Sequence, residues 1–129
     1  MASKDLTHTI LAAIGFPAAT VSADADGPTV DTQGFESVAF TGLIANADGT
    51  ADLAITVEHS DDDSVFAAAP ADDVHNETVE IGNSDADRAF QIGYRGSKRY
   101  VRLSVTRAAG SADVSAVAVL GHARIQPTY

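Results

Sequence analysis

The chain is 129 residues long, 45% hydrophobic and 20% charged, which fits one folded domain and not a disordered segment. It contains no cysteine, so a disulfide framework, a thiolate metal site and a thiol nucleophile are excluded. Eighteen acids against eight Lys and Arg set the formal charge at −10 and the pI near 4.4. That is the wrong sign for a general binder of nucleic acid, whose duplex carries about one negative charge per 1.7 Å.

Within residues 1–20, Leu6, Ile10 and Ile14 have helical spacing while Thr7, Thr9 and Ile10 favour strand. An extended N-terminal arm or edge strand is expected there, followed by one β-sandwich domain over residues 21–129. Ile10–Ala19 makes a poor signal peptide, because Asp5 cancels Lys4 and because Gly15 and Pro17 break a short apolar run. No stretch reaches the roughly 18 apolar residues of a helical membrane span. A chain made in the cytoplasm, without a membrane partner, is expected.

Further along, Val38, Phe40, Gly42 and Ile44 share one face, and Leu53, Ile55 and Val57 alternate with Asp52, Ala54, Thr56 and Glu58. Period-2 alternation of this kind marks strands with one wet face. Phe90, Ile92 and Tyr94 alternate too, as do Val101, Leu103 and Val105. The Gly96-Ser97 turn chemistry between those runs predicts a hairpin. Val114–Leu120 is apolar on both faces and reads as a central strand. Turn signals at Asp26-Gly27-Pro28, Asp48-Gly49, Asp61–Ser64, Gly82-Asn83-Ser84 and Ala109-Gly110-Ser111 punctuate the runs. The fold class is therefore all-β, a single-domain antiparallel sandwich or barrel of about seven or eight short strands.

Chemical motifs are sparse. Ser22-x-Asp24-x-Asp26-Gly27 aligns with a calcium loop at its glycine, but Ser22 and Gln33 stand where that loop needs acids. Asp61-Asp62-Asp63 reads as an exposed loop tip. His8, His59, His75 and His122 show no metal-ligand spacing. Gly93–Lys98 has P-loop residue types in the wrong order, and no nucleophile elbow is present. Asn76-Glu77-Thr78 fits the glycosylation triplet, a pattern common by chance. No enzyme activity, catalytic residue, metal or cofactor is expected.

Charge is unevenly distributed. Residues 1–87 hold 17 acids and one base, Lys4, whereas residues 88–129 hold seven bases and one acid, Asp113. Two accounts stand side by side at this stage. Basic strands of the last third can lie against acidic strands and loops of the same chain, or Arg95, Lys98, Arg99 and Arg102 can form a face for an acidic partner, to which Arg pairs well.

Three blocks carry a resemblance. Val30–Ser37, Glu58–Asp62 and, most specifically, Ile92–Arg102 resemble recurring blocks of a group of small tailed-bacteriophage virion proteins. A closing Gly121–Arg124 followed by Pro127 is similar to the end of those proteins. Where the family commonly has glycine after the paired Asp, Asp63 stands here, which puts that turn's geometry in question. Members are encoded close to the major capsid protein. The resemblance implies a non-enzymatic virion protein on the capsid exterior, a decoration (cement) protein whose partner is the major capsid protein and which forms a trimer or dimer. A neck or tail component of the same virion, and a β-sandwich binding module, are the alternatives. Expected contact residues are Phe35, Arg95, Lys98, Arg99, Arg102 and Tyr129.

Overall fold

A computed structural model describes residues 10–75, 78–82 and 87–123. Its strands form two antiparallel sheets. β1 (Ile10–Val21), β4 (Phe35–Ala47), β7 (Val74–His75), β9 (Arg88–Tyr94) and β11 (Ala112–Ala123) make a five-stranded sheet in the order β1-β11-β4-β9-β7. The second sheet is centred on β10 (Tyr100–Ala109) and β5 (Asp52–Ser60). β2 (Ala25–Asp26) and β3 (Val30–Asp31) flank β10, while β6 (Ala67–Ala68) and β8 (Thr78–Ile81) flank β5. Apart from a single 3-10 turn at Ala71–Asp73, the described residues contain no helix.

The alternation seen in the sequence becomes the two walls of the core. Leu53, Ile55 and Val57 of β5 and Val101, Leu103 and Val105 of β10 are buried on the inner face of one sheet. Phe40, Ile44, Ile92 and Leu120 close the core from the other. Each such side chain contributes roughly 1.5–3 kcal/mol by leaving water. β11 is an inner strand, between β1 and β4. Its even-numbered residues Val114 to Leu120 face the core, whereas Val117 on the other face is 44% exposed. The doubly apolar run thus marks its place in the sheet, not coverage on both sides.

The link between β9 and β10 corrects one expectation. The two strands do not pair as a hairpin: β9 pairs with β4 and β7 in the first sheet, and β10 with β5, β2 and β3 in the second. Residues 95–99 arch from sheet to sheet, so the apolar faces of β9 and β10 meet across the core. Most other links do the same, including β3–β4, β4–β5 and β10–β11, while β5 and β6 are a true hairpin. Two arches are tied at one end by Asp48, whose carboxylate accepts the Thr50 amide at 2.9 Å and the Ser111 amide at 3.0 Å. Among the described residues the strand count also exceeds the expectation, reaching eleven, because β2, β3, β6 and β7 are two residues each. Periodicity has nothing to register in so short a run.

Candidate functional site

The end of the sandwich opposite Asp48 gathers the three sequence blocks. The β3–β4 arch (32–34), the loop after β5 (61–66) and the β9–β10 arch (95–99) lie side by side there. Their contacts join residues far apart in the chain. Arg99 grips Asp31 with two hydrogen bonds, Nε to Oδ1 and Nη2 to Oδ2, each 2.8 Å long. The Thr32 amide and hydroxyl both donate to the Arg99 carbonyl, at 2.9 and 2.7 Å. Lys98 Nζ lies 2.6 Å from Asp61 Oδ2.

Tyr94 organises the middle of this end. It is the last residue of β9, buried to 5% exposure. Its hydroxyl accepts the Lys98 amide at 3.1 Å and lies 3.0 Å from His59 Nδ1 on β5. Since the oxygen takes the amide hydrogen, its own hydrogen is free to go to a neutral His59 protonated on Nε2. The two rings meet edge to face with centroids 5.8 Å apart, a favoured aromatic geometry. Burial, seconded by the nearby charges of Asp73 and Asp61, pushes the Tyr94 hydroxyl above its ordinary pKa. Gly96 follows from this fold of the arch, because a Cβ there would overlap the Tyr94 phenol.

Phe35, the start of β4, is half-buried and lines a cavity of about 370 Å³ with Thr32, Glu36, Tyr94, Ser97 and Arg99. Arg102, two residues into β10, points to the outer face of the second sheet. Its Nε donates to Glu58 at 2.8 Å, its Nη2 lies 3.4 Å from Asp26, and its guanidinium stacks 4.1 Å from the Phe66 ring centre. Arg95 takes a third course: Nε donates to the Asp72 carbonyl at 3.0 Å and its amide to the Asp73 carbonyl at 2.8 Å. Lys98, Arg99 and Arg102 are therefore each matched with acids from the first two thirds of the chain, the first of the two accounts of the charge split. Tyr129, His8, Asn76-Glu77 and the Arg124–Pro127 block lie outside the described residues.

Several of the acids are similarly occupied. Asp24 accepts the Arg107 amide, and Asp26 accepts the Ser104 hydroxyl at 2.9 Å. Asp62 accepts the Val65 amide, the Ser60 hydroxyl and the Ser64 amide, which together hold its carboxyl below the ordinary range. Asp63 adopts φ 59°, in the left-handed region. The backbone therefore makes the turn a glycine makes, and Asp tolerates that region better than most residues. Among the described residues no three His, Asp or Glu side chains gather as metal ligands. What sequence reading missed is Tyr94 with His59. Each is visible as a strand residue, but their meeting depends on which strands face each other across the core.

The fold defines a class: an antiparallel two-sheet sandwich whose strands cross repeatedly between sheets. No protein-family model matches the sequence, and no curated protein matches it. Solved structures with the same fold include two phage-derived proteins. The PBSX exported protein XepA superposes with a TM-score of 0.60 at 15% identity, over 92% of this chain and 39% of its own. The SPBc2 prophage-derived protein YomS superposes with a TM-score of 0.50 at 11% identity, over 85% of this chain and 92% of its own. The chain thus spans about two fifths of the length of XepA. At these identities the likeness is one of fold.

Proposed function

We propose that this chain is a non-enzymatic structural protein of a tailed-phage virion, specifically a decoration protein that binds the outside of the head. The observation that carries this reading is the sandwich shared with phage-derived XepA over 92% of the chain. The meeting of the three virion-like blocks at one end of that sandwich supports it. Bound between neighbouring capsid subunits, such a protein adds contact area that must be broken before the shell opens. A specific interface buries about 1,200–2,000 Å², and symmetry repeats that contribution around the shell.

In this reading the block-bearing end, with Phe35 and the cavity beside it, faces the major capsid protein. Lys98, Arg99 and Arg102 then act through the surface their ion pairs hold in shape, and Arg95, bonded to main-chain oxygen, is the basic group to reverse. Quantitative mass spectrometry of purified virions tests the proposal. A copy number comparable to the major capsid protein supports decoration; a handful of copies moves the chain to the neck or tail; absence ends the virion reading. Arg95→Glu is expected to weaken capsid binding under conditions where the variant, which loses the bond to the Asp72 carbonyl, is still fully folded, and unchanged binding would remove Arg95 from the interface.

A further inference from the structure

β4 carries a carboxylate on its core-facing side. Its register against β11 runs without a shift from Phe35 to Ile44, so Glu36 shares a face with the buried Val38, Phe40 and Ile44. Glu36 itself is exposed, at the mouth of the cavity of about 370 Å³ that it lines with Phe35, Val38, Tyr94 and Ser97. Lys98 and Arg99 line the cavity too, but each is already matched, to Asp61 and to Asp31. Among the described residues nothing pairs with the Glu36 carboxylate, and the exposed Ser97 hydroxyl is likewise without a partner.

We infer that this cavity takes a basic side chain of a partner protein, its aliphatic stem lying on Phe35, Val38 and Tyr94 and its cationic head meeting Glu36 and Ser97. Charge selects the head. Glu36 is the one charge of the cavity that a ligand can neutralise without displacing Asp31 or Asp61. An acidic group would have to draw Lys98 or Arg99 from those partners, and would face Glu36 besides. Hydrogen bonding agrees, because ammonium and guanidinium groups only donate, and the two free side chains at the mouth both accept. The walls select the stem. Long basic side chains lay their methylenes on apolar surface and keep the head in water, whereas a wholly apolar group would cover the carboxylate and leave it unpaired, which is costly. The volume falls within the roughly 300–1,000 Å³ of small-ligand sites, room for one side chain and not for a strand. The rim is also set before anything binds, by the two bonds of Arg99 to Asp31 and by the Tyr94 hydroxyl on the Lys98 amide, so little ordering opposes binding. The inference rests on the reading that the block-bearing end is the docking end, and names the side chain which that end takes.

NMR titration of the full 129-residue chain at low salt with N-acetyl-lysine methylamide, and with its arginine counterpart, tests it. Saturable shifts centred on the amides of Phe35, Glu36, Gly96 and Ser97 are expected. The uncharged N-acetyl-norleucine methylamide should bind roughly fivefold more weakly, the upper end for an exposed ion pair. Glu36→Gln should bring the basic probes down to the norleucine level. Glu80→Gln, which removes an exposed acid from the other sheet, should change nothing. The inference is overturned if neither basic probe binds, if norleucine binds as well as they do, or if their advantage survives in Glu36→Gln. An advantage lost equally in Glu80→Gln would overturn it too, by making the effect one of overall charge. Should Glu36→Gln fail to fold, the wild type decides: the advantage over norleucine should vanish between about 0.05 M and 1 M NaCl, and its persistence would overturn the site. The probes need no capsid. Probe binding by a chain absent from virions would end the virion reading and leave this site standing, whereas a high copy number without probe binding would end the site alone.

Discussion

Tyr94 concentrates two kinds of stability in one side chain. Its ring fills the core end of β9, and its hydroxyl joins the Lys98 amide to His59. Tyr94→Phe keeps the ring and removes the joint, so the amide and the imidazole lose their shared partner. A loss of about 1–2 kcal/mol is expected from urea denaturation at pH 7. A pH signature accompanies it. The folded hydroxyl titrates above the ordinary tyrosine value, so its contribution is complete below about pH 10 and is lost as pH rises through the folded value. Wild type should therefore weaken on the alkaline side more steeply than Tyr94→Phe. Gly96 depends on the same phenol. Gly96→Ala should cost about 1–3 kcal/mol through overlap with that ring, whereas Gly49→Ala, with open space around its Cβ, should be nearly neutral in the same denaturation series.

At the scale of elements, the arches explain both what the sequence discloses and what it conceals. β4, β5, β9, β10 and β11 are legible because each is long enough for period-2 alternation to show. β8 hides because only Val79 and Ile81 report its buried face. The β9–β10 link misleads for a physical reason: Gly96-Ser97 turn chemistry reverses the chain equally well in a hairpin and in an arch, and only long-range packing separates the two. The same limit applies to the site. The basic cluster is legible as composition, but its pairing with Asp31, Asp61, Glu58 and Asp26 depends on segments at least 37 residues apart. Asp31 shows what that pairing does. Held mainly by the Arg99 guanidinium, its carboxyl sits below its ordinary pKa, so the stability it contributes is present above about pH 4 and is lost as pH falls through the folded value. Asp31→Asn should lower the urea midpoint at pH 7, and the gap to wild type should narrow as pH falls below about 4. A gap that persists at low pH would place the effect in packing and not in charge.

For the whole molecule the deciding quantity is the balance of charge after pairing. The ion pairs described are at the surface, and pairs of that kind are worth about 0–1 kcal/mol each. Added salt therefore removes little attraction from them. Against this stands a net −10, self-repulsion that the compact state must tolerate and that salt relieves. The urea midpoint should rise between about 0.05 M and 1 M NaCl, chloride being chosen because sulfate strengthens burial by exclusion from the surface. Asp63 gives the argument a local test. It stands third in Asp61-Asp62-Asp63, it is exposed, and its φ of 59° suits asparagine as well as aspartate. Asp63→Asn thus removes one like charge while sparing the turn. It should raise the midpoint at low salt and leave it unchanged at 1 M. A variant equally stabilised in both salts would have gained from the backbone, and the claim that unbalanced acids limit this fold would be wrong.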